Sequence, residues 1–384
     1  MKIIYFTTAQ TEKDYRTFIN KWRIALNASN QNFHNKMIRC LAINNEVHVI
    51  SIRPFSLSNM KVVKLGKETI KDGNITWHYL ERSGGKLFRT LTIVPQVKKI
   101  LKNLDLKDAI FVTDTINPSV SRAVEGALKK YNRPVIGLCT DSPSNISGTK
   151  RSYTLYLLDK TSKYQGYVAL TEGLNYLFNP DGKPSYIVEG LVEEKTFPKT
   201  NELKPEYFFF GGALMERYGV YQLIEAYKIL NLKNTDLYIC GHHLDKNMYR
   251  EATSGYPRIR FLGLLPVNKV MEYEHDAIAC INPRPFTEDL DRFSIPSKTL
   301  EYMSMGVPVI SVKNTILMEK FPKEVIWVES ANESDIVHAM KQLLNMSYEE
   351  RDALAEKAKN RVLELYSLEN VAKNIQPFLE QFVK

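Results

Sequence analysis

Short apolar runs alternate with segments of helical apolar spacing from one end of the chain to the other. In the first half the runs that read as strands are Lys2–Phe6, Val47–Ile52, Ile75–Glu81, Ala109–Asp114, Pro134–Thr140, Gly166–Thr171 and Ser185–Val188. In the second half they are Tyr207–Gly211, Asp236–Cys240, Arg258–Leu262, Ala277–Asn282, Pro308–Val312 and Val325–Val328. Most are rich in Ile, Val and aromatic residues and end at Gly, Pro, Asp or Asn, as buried strands bounded by turns do. Helical patterns lie between most of them; Tyr221–Leu230, for instance, carries apolar Leu223, Ile224, Ala226, Tyr227 and Leu230. Strand–helix–strand alternation implies right-handed crossovers and parallel sheets covered on both faces. Two such series predict an α/β protein with two Rossmann-like domains.

The boundary falls near Val192–Tyr207, where the apolar pattern stops and Glu193, Glu194, Lys195, Pro198, Lys199 and Pro205 crowd together. The expected domains are residues 1–197 and 198–366. A long helix at about Ser347–Tyr366 is followed by a last helix, residues 367–384, which completes the first domain.

The chain has 384 residues, 44% of them apolar and 25% charged, which is enough for two cores. Its net charge of +9 implies an anionic partner, and the charge is spread along the chain rather than gathered in a tail, which argues against nucleic acid. Cys40, Cys139, Cys240 and Cys280 lie far apart in apolar surroundings and read as buried free thiols in a reducing compartment. No signal segment is read at the N-terminus, and no apolar stretch approaches the roughly 20 residues that span a bilayer. The expected location is the cytoplasm, with any membrane contact peripheral, at the inner face.

Open parallel sheets bind ligands at the carboxyl ends of their strands, and three clusters of the second half fall there. In the first, Phe210-Gly211-Gly212-Ala213-Leu214-Met215-Glu216-Arg217-Tyr218-Gly219-Val220, two glycines let the backbone approach a phosphate and Arg217 supplies a forked cation. The same residues also fit a plain strand–turn–helix with a solvated arginine. In the second, Ile239-Cys240-Gly241-His242-His243, a glycine again ends a strand, and His242 is either a ligand contact or part of a surface turn. The third runs from Arg292-Phe293-Ser294-Ile295-Pro296-Ser297-Lys298 through Glu301 to Gly306 and Ile310. Pro296 suits the first turn of a helix, whose free amides at Ser297 and Lys298 would face a diphosphate with the helix dipole aiding. Glu301 lies one turn on, placed to accept hydrogen bonds from ribose hydroxyls.

Taken together, these residues resemble the donor domain of the family 4 retaining glycosyltransferases, of the bacterial polysaccharide and capsule type. The resemblance rests on Arg217 followed by Gly219-Val220-Tyr221-Gln222-Leu223-Ile224-Glu225-Ala226, on Phe261-Leu262-Gly263 and on the run from Pro296 to Ile310, and covers about Tyr207–Tyr366. It implies the GT-B fold, two Rossmann-like domains facing across a cleft, with acceptor-binding first and nucleotide-sugar-binding second. It implies a hexosyl transfer from a nucleoside-diphosphate sugar to a hydroxyl of a glycan or lipid-linked acceptor, with retention and with no required cofactor or metal. By the same resemblance Gly263 and Leu264 lie near the base, Glu301 at the ribose, and Ser297, Lys298, Arg217 and Arg284 at the diphosphate. Two positions depart from the family: Phe293 stands where a sugar-contacting glutamate is common, and Ala213 and Tyr218 replace the usual Arg and Lys. Asp289-Leu290-Asp291 spells a metal-binding D-x-D but reads here as a solvated acidic loop.

The first half resembles the family only in outline. The polar run Asn27–Lys36 before a helical Met37–Ala42 would line an acceptor cleft or serve as cap and loop. Asp114 and Asp141 end strands; Asp141 is the candidate that would act on the acceptor, whereas Asp114 suits a helix start before Asn117-Pro118-Ser119. Lys86-Leu87-Phe88-Arg89 with Lys98, Lys99 and Lys102 would rest on anionic lipid or form a solvated face. The rival reading is an inactive relative serving as a nucleotide-binding subunit of a glycosylation complex. A Rossmann-type oxidoreductase ranks low, because the G-x-G-x-x-G turn and its acidic partner are missing.

Overall fold

The computed structural model describes residues 1–22, 28–53, 66–81, 91–145, 150–197, 206–242, 245–285 and 287–383. The chain divides into two compact units. One comprises Met1–Leu191, Arg292–Ser294 and Leu368–Lys384, the other Val192–Asp291 and Ile295–Ser367.

In chain order the first unit runs β1 (Lys2–Thr7), α1 (Glu12–Trp22), α2 (Ala28–Ala42), β2 (Glu46–Ser51), β3 (Glu68–Asp72) and β4 (Ile75–Tyr79). It continues with α3 (Ile93–Leu101), β5 (Ala109–Asp114), α4 (Pro118–Tyr131), β6 (Val135–Cys139), α5 (Arg151–Thr161), β7 (Gly166–Ala169), α6 (Glu172–Phe178) and β8 (Ser185–Ile187). The strands form one sheet in the order β3-β4-β2-β1-β5-β6-β7-β8, parallel except for β3, which pairs antiparallel with β4. Residues Ile3 to Phe6 are all fully buried because the sheet is covered on both faces. Ile3 and Tyr5 face one apolar layer with Met37, Ile38 and Leu41 of α2, while Ile4 and Phe6 face another with Val97 of α3 and Val124 of α4. The helix starts follow local chemistry: Asn117 caps α4, its side chain accepting from Ser119 and Val120 ahead of a proline in the first turn.

The second unit runs β9 (Glu206–Ala213), α7 (Val220–Leu230), β10 (Thr235–His242), α8 (Lys246–Thr253), β11 (Ile259–Phe261), α9 (Val267–His275), β12 (Ala279–Asn282) and α10 (Glu288–Phe293), whose last two residues belong to the first unit. Then come α11 (Ser297–Ser304), β13 (Val309–Val312), α12 (Thr315–Lys320), β14 (Ile326–Val328), α13 (Glu333–Leu344) and α14 (Tyr348–Tyr366). The sheet order is β11-β10-β9-β12-β13-β14, all parallel. Phe208 and Phe210 pack with Leu223 and Ile224 of α7 and Met340 of α13, and Phe209 stacks from the other face on Tyr273 of α9.

The last helix, α15 (Leu368–Glu380), returns to the first unit. Leu368, Val371, Ala372, Ile375, Phe378 and Leu379 form its buried stripe against the α2 layer. At about 1.5–3 kcal/mol for each large side chain buried, that stripe is enough to dictate where the helix docks.

Three expectations are corrected. The polar run that began at Asn27 is no loop: α2 opens at Ala28, and Gln31 and His34 are buried within it. The D-x-D lies on α10 rather than in a loop, and Asp291 accepts from Asn314 (2.5 Å) and from the Thr315 amide (2.9 Å), holding the start of α12. β3 is an added strand, polar and on the sheet edge, joined to β4 by a turn at Gly73, whose φ is +54°. Asn27, Lys86–Arg89, Pro198, Lys199, Pro205 and His243 lie outside the described residues.

Candidate functional site

Three neighbouring strand ends of the second unit carry glycine. In the β9–β10 register Gly211 pairs with Cys240 and Gly212 with Gly241, and the Gly241 amide donates to Gly263 at 3.0 Å beyond β11. Gly241 has φ of +145°, and a Cβ there would lie 1.7 Å from the Gly212 carbonyl oxygen, so no other residue fits. The result is a row of positions without side chains at the carboxyl edge of the sheet, the edge at which open parallel sheets bind ligands. His242 ends β10 exposed, and Leu264, beside Gly263, is 68% exposed.

The chain leaves β9 through a short 3-10 turn, Glu216–Tyr218, and enters α7 after Gly219. Gly219 has φ of +77°, and a Cβ would meet the Pro283 carbonyl oxygen at 2.0 Å, so this turn is pressed against the residue that follows β12. That contact gathers two cations on one ring: the Arg217 guanidinium lies 5.0 Å and the Arg284 guanidinium 5.8 Å from the centre of Tyr218. Arg217 also donates to the Tyr218 hydroxyl at 3.3 Å. Tyr218, read in the sequence only as a lost lysine, is therefore the organiser of the two arginines.

α11 is held by buried polar bonds. Asn282 at the end of β12 donates to Thr299 (2.9 Å), and the Thr299 and Ser311 hydroxyls are 3.0 Å apart. The Tyr302 hydroxyl accepts the Gly211 amide at 3.1 Å and reaches its carbonyl at 3.3 Å, tying the helix to the glycine-ended strand. Burial pushes the Tyr302 phenol well above its ordinary range, so it stays a donor. The start of the helix differs from expectation. Pro296 stands at the cap rather than in the first turn, and the Ser297 amide, expected to face a phosphate, donates back to the Ile295 carbonyl at 2.8 Å. Pro296 brings the chain round tightly enough to close that turn on itself. Ile295 is buried, and Ser294 belongs to the first unit.

Lys298 and Glu301, one turn apart on α11, form an ion pair of 3.0 Å. A third residue joins them: Glu274 of α9, its side chain 0% exposed, lies 3.3 Å from the ammonium of Lys298, whose side chain is 33% exposed. Burial works against the lysine charge, but Glu301 and then Glu274 outweigh it and hold the ammonium well above its ordinary pKa. Glu274 carried no motif and was missed; the visible signal was a glutamate on the inward face of a helix with Val270, Tyr273 and Ala277 around it.

In the first unit, Asp141 follows β6 half-buried, its carboxylate accepting the Ser142 amide at 2.8 Å. Asp114 is buried at the end of β5, its carboxylate 3.7 Å from His34, which in turn meets the Tyr5 hydroxyl at 2.6 Å. Burial raises the Asp114 pKa and lowers that of His34. All four cysteines are buried and free, and burial pushes the Cys240 thiol up to about 12. Among the described residues no group of three or more His, Cys, Asp or Glu could hold a metal ion, and no helix is long and apolar enough to cross a membrane.

Residues 192–361 match the family described as "Glycosyl transferases group 1". No curated protein sequence matches the chain. Similar solved structures include sucrose-phosphate synthase from Thermosynechococcus elongatus (TM-score 0.70, 13% identity, 99% of both chains covered). Another is a glycosyltransferase from Rickettsia africae ESF-5 (TM-score 0.68, 13% identity, 99% of this chain and 98% of that one). A third is trehalose-6-phosphate from E. coli bound with UDP-2-fluoro glucose (TM-score 0.66, 12% identity, 100% of both). At these identities the likeness is one of fold: the chain has the GT-B architecture of two Rossmann-like α/β domains, and its second domain carries the glycosyltransferase group 1 pattern.

Proposed function

We propose that the protein transfers a hexosyl unit from a nucleoside-diphosphate sugar to a hydroxyl of a glycan or lipid-linked acceptor, with retention of configuration. The single observation that carries the reading is the joint of α11, which bears the Lys298–Glu301 pair, with the glycine-ended strand β9 through the Tyr302 hydroxyl and Gly211. In this reading the base rests at Gly263 and Leu264, and Glu301 accepts from the ribose hydroxyls. Arg217 and Arg284 take the diphosphate together with the Lys298 amide, while Gly211 and Gly212 leave room for it and His242 borders it.

The acceptor hydroxyl attacks from the face the diphosphate leaves, and the arginines stabilise the negative charge that grows on the leaving group. The leaving phosphate accepts the hydroxyl proton, so Asp141 orients the acceptor and need not ionise it. The first unit is the acceptor side, and Lys98, Lys99 and Lys102 are offered to anionic lipid at the inner face of the membrane. No metal or cofactor is assigned a part.

A second reading, a nucleotide-binding subunit without turnover, draws on Phe293, which packs into the apolar layer of the first unit instead of offering a carboxylate. Both readings require nucleotide binding, and only the first requires sugar transfer or slow donor hydrolysis.

The test is a thermal-shift panel of UDP, GDP, ADP, CDP and dTDP and their sugars, starting with UDP because one structural neighbour carries a UDP sugar. One base should give a clear shift, and Glu301→Ala should remove it by weakening affinity roughly 10- to 100-fold, the worth of charge-assisted hydrogen bonds. An unchanged shift takes Glu301 out of the ribose role.

A further inference from the structure

The two charged residues of α11 do not stand alone. A lysine at the second position of a helix ordinarily extends into solvent, where an i,i+3 partner contributes only a few tenths of a kcal/mol. Lys298 is turned the other way. Its ammonium lies between Glu301 on its own helix, at 3.0 Å, and Glu274 on α9, at 3.3 Å. Glu274 is wholly buried while Glu301 is 23% exposed. A buried carboxylate needs a cation far more than a solvated one does. The buried partner therefore fixes where the ammonium sits, and the ammonium in turn fixes the orientation of the outer carboxylate.

α9 is itself secured by its own aromatic face. Tyr273, next to Glu274, stacks on Phe209 at 6.2 Å and packs edge-on against Tyr207 and Tyr238. The Glu274 carbonyl also lies 3.5 Å from the Cys280 thiol on β12. The anchor thus stands on rigid elements on both sides, and the chain of contacts runs from the sheet through Glu274 and Lys298 to Glu301.

We infer that Glu274 is a positioning residue for nucleotide recognition: it clamps Lys298 inward so that Lys298 holds the Glu301 carboxylate toward the ribose. The inference rests on the reading of Glu301 as the ribose ligand. Its consequence for the site is a division of labour. Lys298 has its charge matched by two carboxylates and acts as a strut, and the negative charge of the diphosphate is met by Arg217 and Arg284 on Tyr218.

The experiment compares nucleotide affinity by calorimetry for the full chain and its Glu274→Gln variant. The probes are the ribonucleoside diphosphate that shifts the wild-type protein most, its 2′-deoxy counterpart, and inorganic pyrophosphate. Glu274→Gln keeps the shape and removes the charge. It should weaken the ribonucleotide about tenfold, the scale of coupling between residues in one ion-pair network, and should leave the deoxy form and pyrophosphate nearly unchanged. The ratio of ribo to deoxy affinity is a readout that a merely structural role would not move.

Should Glu274→Gln fold poorly, Lys298→Met provides the second arm. Glu274 acts through Lys298, so Lys298→Met should show the same loss of ribose preference, and Glu274→Gln added to it should cost no further affinity. An unchanged ribo-to-deoxy ratio in either variant, or independent and additive losses in the double variant, overturns the inference. Absence of any nucleotide binding by the wild-type protein is a different result, and it overturns the donor-site reading itself.

Discussion

The two units use the same parallel-sheet physics and finish it in opposite ways. At the carboxyl edge of the second unit three neighbouring strand ends carry glycine, and the cations gathered on Tyr218, exposed Arg217 and half-buried Arg284, lie on the turns that follow β9 and β12. At the same edge of the first unit, polar groups are folded inward: Tyr5, His34 and Asp114 are buried against one another, and the Gln10 amide donates to buried Gln31 at 3.0 Å. Recognition of a charged ligand is therefore easier at the edge of the second unit. Arginines that keep contact with solvent can bind an anion without opening the core, whereas an inward polar layer has to be opened before it can receive anything.

Filling the glycine row should have the largest effect. Gly241→Ala puts a Cβ 1.7 Å from the Gly212 carbonyl oxygen on a backbone of positive φ. It should cost roughly 2–4 kcal/mol by denaturant unfolding and abolish nucleotide binding. Gly263→Ala is the control: its φ is +78° but the space around it is open, so the loss should be only about 1–2 kcal/mol, from the backbone conformation alone. Equal losses at the two positions would mean that backbone conformation, not the close approach of the strands, makes the row.

A smaller effect separates the two arginines from the helix. Arg217→Ala or Arg284→Ala should each weaken nucleoside diphosphate by about 1.5–3 kcal/mol, as loss of a charged hydrogen bond does, while leaving the ribo-to-deoxy ratio intact. Calorimetry with the diphosphate and the corresponding nucleoside checks this, since the nucleoside should lose nothing. A loss that appears equally with the nucleoside would move the arginines away from the diphosphate.

The gentlest probe is pH, and it acts on the first unit. Burial, then neighbouring His48 and Lys67, lower the His78 pKa from 6.5 to about 4. In the unfolded chain this histidine takes up its proton near its ordinary value. Its contribution to stability is therefore present above about 6.5 and is lost as pH falls toward about 4. The melting temperature should drop across that window, and His78→Gln should flatten part of the drop. A profile identical to wild type would show that other groups set the acid sensitivity.

Much of this was legible in the sequence, for identifiable reasons. Strands such as β5 and β13 announce themselves because burial on both faces makes them near-continuous apolar runs between turn residues. The run from Pro296 to Gly306 was legible because a helix start, a charged first turn and a glycine exit occur in order. β3 was not, because an exposed edge strand reading Glu-Thr-Ile-Lys-Asp has no buried face to impose a pattern. The start of α2 was hidden for the converse reason: Gln31 and His34 are polar, yet their hydrogen bonds let them be buried. Glu274 and Tyr218 were missed because each matters through a partner distant in sequence, Lys298 in one case and Arg284 in the other.

In the proposed donor site the nucleotide sits on α11. The most direct measurement is a crystal structure of the protein with the nucleoside diphosphate that stabilises it most. The ribose hydroxyls should lie within hydrogen-bond distance of the Glu301 carboxylate, with the diphosphate between the start of α11 and the Arg217–Tyr218–Arg284 group. A nucleotide bound with its ribose away from Glu301, or elsewhere on the chain, would contradict it.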